Sequence, residues 1–494
     1  MMSQLLPIVS IGNQSSDAHY HRKRDVNSIL PYIDEVVHTK TTQLHVIRLN
    51  IDYTNYLNPG QTAVAACDQP LYALKMQLLW ELTSEMKGRI FPFLGPLHIE
   101  MTALKCHGDL IRGTGLEEIV AKAGFDTIGL SIALADANSI KKSRYIMQVV
   151  SCVMYSLMIE AYKQYSFEQS NTPNMEEWIQ QMKEHSDSFK FWSNVLDFQK
   201  VVLCFVRSLR EANFYLFVAS LDRLCSFFFA LDHTHYARWG TVFVNELKLL
   251  GSTDPNLYEQ FVSGFFVARK SDGFFNNIGF DHFHEANNKT VKSRSGYSDL
   301  FNKEEGEFLR KLEIVTPGIT SFLEESQGLT ASSDKSKEES EAFSAKFMND
   351  CVKLKQAITT NPFSDTPIHK LNTAVLFSEE TVAAIDAVFT VGKNQKEMFI
   401  RDRLVIGKLD VMDKLPKNSL ALPGHSIKNK TKSSIVVNTL TTKTLIKLRE
   451  ATSKRHSLAI QVFESDFTGR HIYYDTSINS TDSRYFLSKY LPSL

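Results

Sequence analysis

The chain lacks a net charge. Lysine plus arginine and aspartate plus glutamate stand at 55 each in 494 residues. Any polyanionic partner must therefore be met by local patches, because overall attraction is absent. It also lacks a Walker loop, a GxGxxG, a GxSxG and zinc-finger spacing, so the common phosphate-cradling, dinucleotide, serine-hydrolase and zinc-module signatures are missing. Its cysteines are Cys67, Cys106, Cys152, Cys204, Cys225 and Cys351. None forms a CxxC and most sit in apolar surroundings, which predicts reduced core thiols in an intracellular protein. The first residues carry no basic n-region ahead of an apolar run, so no signal peptide is expected. Long apolar runs are missing too. Tyr145 to Ile159 falls short of the roughly 20 residues that span a bilayer. The run Val201 to Leu231 is interrupted by Arg207, Arg210, Glu211, Asp222 and Arg223. Both read as buried helices, with no membrane role.

What is present is core. Hydrophobic residues make up 43% and phenylalanine alone numbers 33, well outside disordered composition. At roughly 150 residues per domain, the length suggests about three domains or one large domain with insertions. Thr42 to Tyr56 has helical spacing and stops at Asn58-Pro59-Gly60. Thr62 to Cys67 has the length of a buried strand. Pro70 is placed to open a helix running from Leu71 to Met86. Arg89 to Leu94 reads as a second strand, feeding a helix from Ile99 to Leu110. From Gly115 to Phe266 the pattern is almost wholly helical, with polar connectors expected at Ser166–Met175 and Ser186–Lys190. Phe274 to Val291 reads as strand or loop, then helix. A polar linker follows at 328–341, then a helix from Ala342 to Thr359, and finally a tail rich in lysine, serine and threonine.

The residues suited to chemistry cluster in a few places. Asp68 ends a buried strand, where open α/β sheets direct their chemistry toward the crevice. It equally suits the N-cap of the next helix, and the two roles are compatible. His98 opens a helix in a Gly-x-x-His pattern, where it can orient a metal-binding carboxylate or bond to backbone. Asp232-His233-Thr234-His235 and Asp281-His282-Phe283-His284-Glu285 share an Asp-His-x-His start. Were these on strands, the paired histidines could converge on zinc. The first block follows a long helix, where positions two apart diverge, so a helix junction is expected there. In the second block Glu285 can present a carboxylate toward Asp68, or serve as a first-turn acid favoured by the helix dipole. Between Lys428 and Arg455 lysines and arginines stand against Glu450 alone, a composition suited to phosphate contact or to a solvated tail.

Four of these features together resemble transposase-derived proteins of the P-element-like and hAT-like type. They are Val64-Ala-Ala-Cys-Asp68-Gln, Ile90 through Gly95-Pro-Leu-His98, the long helical block, and Asp281 through Glu285. Leu57–Gln61, Asp68–Ala73, Leu97–Met101, Ser208–Phe214, Ala230–Trp239 and His284–Asn288 also resemble a group of uncharacterised animal proteins of mobile-element origin. The resemblance implies an α/β fold with a large all-α insertion: a truncated ribonuclease-H-like core in a chain that is predominantly helical overall. The core would occupy 1–114 and 271–327, the insertion 115–270, the linker 328–341 and a partly disordered appendage 342–494. It further implies ancestral metal-dependent DNA strand cleavage and transfer. Asp68 and Glu285 would bind Mg²⁺ or Mn²⁺ with support from His98, and Asp232 would be the reserve for a missing third acid. DNA would be the partner, and a DNA-binding protein would be nuclear. The pattern departs from the family in three ways. No first catalytic aspartate stands upstream of Thr42, Gly95 replaces a usual Cys or Asp, and no N-terminal DNA-binding domain is visible. Two rival functions follow: a non-enzymatic DNA-binding or interaction scaffold, and a zinc hydrolase built on His233, His235, His282 and His284.

Overall fold

Alternation of small and branched apolar residues makes Ala63–Cys67 a strand, β1, with Ala63, Ala65 and Cys67 buried. It pairs in parallel with β2, Ile90–Leu94, from Ala63 opposite Ile90 to Cys67 opposite Leu94. Parallel strands need a crossover, and here it is a helix. A computed structural model of the chain describes residues 36–124, 139–168, 173–269, 275–285, 340–364, 366–418, 420 and 422–423. Helix α1 (Lys40–Leu57) precedes β1, and α2 (Gln69–Glu81) forms the crossover. The predicted helix to Met86 is broken at Leu82, whose backbone leaves helical geometry, and a single turn, Thr83–Met86, follows. No proline or glycine marks that break.

The strand pair has two buried faces. On one, Ala63, Ala65 and Ile90 pack against Ile47 and Ile51 of α1 and Leu78 of α2 in a small separate core. On the other, Phe93 is fully buried and stacks among Phe217, Phe243, Phe261 and Phe280, joining the sheet to the main core. Pro92 has no amide hydrogen to donate, which suits β2 to a sheet edge.

The rest is helical: α3 (Pro96–Ile111), α4 (Leu116–Lys122), α5 (Ile140–Glu168), α6 (Met175–His185), α7 (Asp187–Arg210), α8 (Phe214–Ala230), α9 (Thr234–Thr253), α10 (Pro255–Val262), α11 (Glu341–Ala357) and α12 (Glu379–Phe399). A π-helical stretch, Ile400–Val405, extends α12. The chain is thus predominantly helical with few strands, as the sequence predicts. Ser186–Lys190 is not a connector: the Ser186 hydroxyl caps α7, which begins at once. At 29 residues, α5 is long and apolar enough to cross a bilayer by composition, yet half of that apolar window is buried inside the body. The apolar stretch of α8 lies at the centre, against α7, α9 and α12. Residues of α11 and α12 belong to the same core: Leu354, Ile385 and Val388 are buried in it. A two-residue antiparallel ladder, β3 (Ala268–Arg269) with β4 (Asn277–Ile278), returns the chain to the strand ends. The tail 428–455, Asn287 and Asn288 lie outside the described residues, as does nearly all of the expected linker.

Candidate functional site

Because Cys67 pairs with Leu94, the residues that follow, Asp68 and Gly95, emerge side by side at one end of the sheet. The Gly95 amide continues the ladder by donating to the Cys67 carbonyl at 2.8 Å. Asp68 takes the capping role: its Oδ1 accepts from the Leu71 amide at 3.2 Å, with proline in the first turn of α2. Its other oxygen has no hydrogen-bond partner among the described residues. Both predicted roles therefore remain available to it.

Helix α3 has the opposite problem. Its N-cap is Gly95, which has no side chain to satisfy the first-turn amides. Asp281 supplies the missing acceptor from far along the chain. Its carboxylate accepts from the Leu97 amide at 3.0 Å, the His98 amide at 3.3 Å and His98 Nδ1 at 3.0 Å. It also accepts from the His282 amide at 3.0 Å. A buried anion at a helix N-terminus is favourably placed with respect to the helix dipole. Space for it comes from two glycines. A Cβ on Gly95 would lie 2.2 Å from Asp281 Oδ2, and one on Gly279 would lie 3.1 Å from Oδ1. Glycine at position 95 thus has a physical reason: the carboxylate occupies the position its side chain would need.

His98 is half-buried. Its pKa is raised, first by the hydrogen bond to Asp281, against the opposing effect of burial, and then by the charges of Asp281, Asp68 and Glu285. One imidazole thus feels Asp68, which follows β1, and Asp281 and Glu285 of the returning segment. Glu285 is exposed at the end of a helical turn, 280–285, and engages no partner among the described residues. His282 is driven the other way, toward neutrality, by burial and by nearby Arg144. Tyr236 of α9 completes the surroundings. It hydrogen-bonds with Thr102, whose hydroxyl donates to the His98 carbonyl at 3.0 Å, and burial followed by the charges of Asp68 and Asp281 keeps its phenol protonated.

Of the predicted site residues, Asp68 and Glu285 both raise the pKa of His98 through their charges, and Asp232 makes its contacts elsewhere. Asp232 sits in left-handed backbone (φ 59°) between α8 and α9, where its Oδ1 accepts from the Asn418 amide at 2.8 Å. Asn418 also closes the end of α8 by donating to the carbonyls of Phe229 and Ala230. His233 bonds to Asp109 at 3.0 Å while His235 is exposed, so the two diverge as helical spacing requires. Contacts with Cys106 and Asp109 raise the pKa of His233 although burial opposes its charge. Asp281 and Tyr236 were not candidates on sequence alone. A capless glycine-proline helix start is the signal that could have pointed to a distant carboxylate.

Among the described residues no three His, Cys, Asp or Glu side chains are grouped to hold a metal ion. Asp281 already accepts several hydrogen bonds, which leaves Asp68 and Glu285 as the carboxylates free to meet a cation. Two carboxylates suit a Mg²⁺ completed by water or phosphate oxygens. They do not suit a two-ion clamp, which needs several acids.

Fold and site define a predominantly helical protein with a small parallel strand pair whose carboxyl ends gather acids from distant segments. Residues 126–458 match a domain of unknown function, DUF8702, and the chain belongs to that family. The match takes in Asp281 and Glu285 and begins after the strand pair that carries Asp68 and His98. No curated protein and no solved structure matches the chain.

Proposed function

We propose that the chain is a transposase-derived protein with a truncated ribonuclease-H-like core, whose ancestral reaction is metal-dependent DNA strand cleavage and transfer. One observation carries the reading. Asp68, at the end of a parallel strand, and Glu285, beyond a long helical block, both act on His98 at the same strand ends. The motif resemblance assigns the same two acids to one site. Asp68 and Glu285 would hold Mg²⁺ or Mn²⁺, which when bound polarises a phosphodiester and the attacking water. The chain's own groups do the rest. Asp281 fixes His98 and the start of α3, Tyr236 remains a neutral phenol, and Glu285 stands exposed to a large substrate.

A specific observation favours a second reading, a DNA-binding or interaction scaffold that has kept the fold. Among the described residues the site offers two free acids and no third. A nicking assay on supercoiled DNA with Mg²⁺ or Mn²⁺ separates the two. The enzyme reading expects cation-dependent nicking that Asp68→Ala and Glu285→Ala each abolish. Equal nicking by the wild type and Asp68→Ala would sink it. DNA retention by both proteins without nicking would establish the scaffold.

A further inference from the structure

We propose that Cys152 and Cys351 form a dithiol modification site that hydroperoxides convert to a disulfide joining α5 to α11. The inference is independent of the acidic site.

Side-chain contacts set the register of these two helices. Toward one end, the Tyr145 hydroxyl donates to Asp350 Oδ2 at 2.7 Å and Lys346 Nζ reaches the same carboxylate at 2.8 Å. Toward the other, Lys355 Nζ donates to Ser156 Oγ at 3.0 Å and pairs with Glu160. Beyond α11, Asn361 Nδ2 donates to the Leu157 carbonyl at 2.9 Å. The partners advance together along both helices, so α5 and α11 run in the same direction. Position 152 faces position 351 between these contacts, so the two thiols are neighbours whose ionisation is linked. A disulfide across this face needs the two Cβ atoms about 3.5–4.5 Å apart. The other cysteines have different neighbours. Cys67 bonds to the Ala65 carbonyl, Cys106 meets His233, Cys225 meets Thr241, and Cys204 lies near Arg207 and Arg223.

The two thiols differ in the way the chemistry requires. Cys152 is partly exposed, and its pKa is lowered by the neighbouring Cys351 thiol against the effect of burial. Cys351 is buried, 4% exposed, and stays protonated. The accessible outer sulfur can therefore act as the thiolate nucleophile and the buried inner one as the resolving thiol. The Cys152 thiolate attacks the outer oxygen of a hydroperoxide ROOH. The O–O bond breaks, RO⁻ leaves and takes up a proton as the alcohol, and Cys152 becomes a sulfenic acid. The Cys351 sulfur then attacks the sulfenic sulfur. An S–S bond forms, the S–OH bond breaks, and hydroxide leaves as water with the Cys351 proton. The two thiols are oxidised by two electrons, and the hydroperoxide is reduced to alcohol and water.

The test treats the reduced full-length chain with hydrogen peroxide, alkylates the remaining thiols, and maps the digest by mass spectrometry without reductant. The expected product is the Cys152 peptide joined to the Cys351 peptide, lighter than their sum by two hydrogens and separated again by dithiothreitol. Cys152→Ser should abolish the joined species and leave Cys351 alkylated. The wild-type digest decides the matter even if that variant folds poorly. Sulfinic or sulfonic acid at Cys152 with no joined peptide would overturn the proposal, and so would a bridge from either cysteine to Cys204.

Discussion

Gly95→Ala should unfold the strand-end site as effectively as removing Asp281 itself. Asp281→Ala deletes the only side-chain acceptor at the start of α3 among the described residues and strips His98 of its partner. Losing an N-cap costs about 1–2 kcal/mol. Leaving a buried donor without its charged acceptor costs roughly another 1–3 kcal/mol. The terms overlap, and the carboxylate's own desolvation cost is recovered, so a loss of about 3 kcal/mol is expected. In Gly95→Ala the new methyl would stand 2.2 Å from Asp281 Oδ2 and 3.0 Å from the Cys67 carbonyl. The carboxylate must leave, and with it go the same hydrogen bonds, so a loss of about 3 kcal/mol is again expected.

The two changes should then be strongly coupled. Once Asp281 is alanine, a methyl on Gly95 meets no carboxylate, and its residual cost falls to about 1 kcal/mol for the poorer cap and the tight Cys67 carbonyl. The double variant should therefore be more stable than the sum of the singles by about 2 kcal/mol, within the range for residues in direct contact. Urea titration read by pulse proteolysis measures all four proteins. If Gly95→Ala costs the same in both backgrounds, the carboxylate is not what excludes a side chain at position 95, and the reasoning fails.

The buried pair of Glu100 and Arg144, bonded at 2.6 Å and 2.7 Å, should show the asymmetry of desolvated ions. Glu100→Leu or Arg144→Met alone should lose about 3–5 kcal/mol, while the double substitution should be close to neutral in the same urea assay. The His98–Asp281 pair should make stability depend on pH. Because the folded pKa of His98 is raised, its contribution is fully present below histidine's ordinary value of roughly 6.5 and is lost as pH rises through the folded value. The stability difference between wild type and His98→Asn should therefore shrink with increasing pH; a difference that grows would contradict the assignment. Gly392→Ala tests the joining of α12 to α8. Its methyl would stand 2.1 Å from the Ser226 carbonyl and 2.7 Å from Ala230 Cβ, so overpacking of about 2 kcal/mol or more should lower the melting temperature.

Local signals in the sequence were read well where the physics is local. Five small or branched apolar residues ending in Asp-Gln-Pro made β1 and the start of α2 legible. Ile90 to Leu94 followed by Gly-Pro did the same for β2 and α3. The helical block needed only its three- and four-residue spacing. Breaks without punctuation were missed, as at Leu82, and so was a serine serving as cap, as at Ser186. The predicted C-terminal appendage follows a polar linker, and its helices α11 and α12 contribute buried residues to the main core. Each of these helices buries only one narrow face, and which partner covers that face is fixed by tertiary contacts alone. The capping role of Asp281 is illegible in the sequence for a related reason. An acceptor can be recognised only once its donors are known, and those donors lie on α3.

The service Asp281 performs limits what the site can do. A carboxylate that accepts from the Leu97 and His98 amides, His98 Nδ1 and the His282 amide has little lone-pair capacity left for a cation. Drawing it toward an ion would expose the amides of α3 and discharge the pairing with His98. Holding the returning segment and ligating a metal are therefore competing uses of one group. The free acids are then Asp68 and Glu285, too few to saturate a small hard cation by themselves. Under the transposase-derived reading, nucleic-acid phosphate must supply further oxygens, which makes cation and DNA thermodynamically linked ligands. Each should strengthen the binding of the other by the same factor. Calorimetric titration of Mn²⁺ should thus give weak binding to the free chain and tighter binding in the presence of DNA. Replacing Asp68 or Glu285 by alanine should remove that tightening while leaving cation-independent DNA binding in place. Tight stoichiometric Mn²⁺ binding without DNA would mean that further ligands exist beyond these two acids, and that Asp281 or another group is released to serve as one.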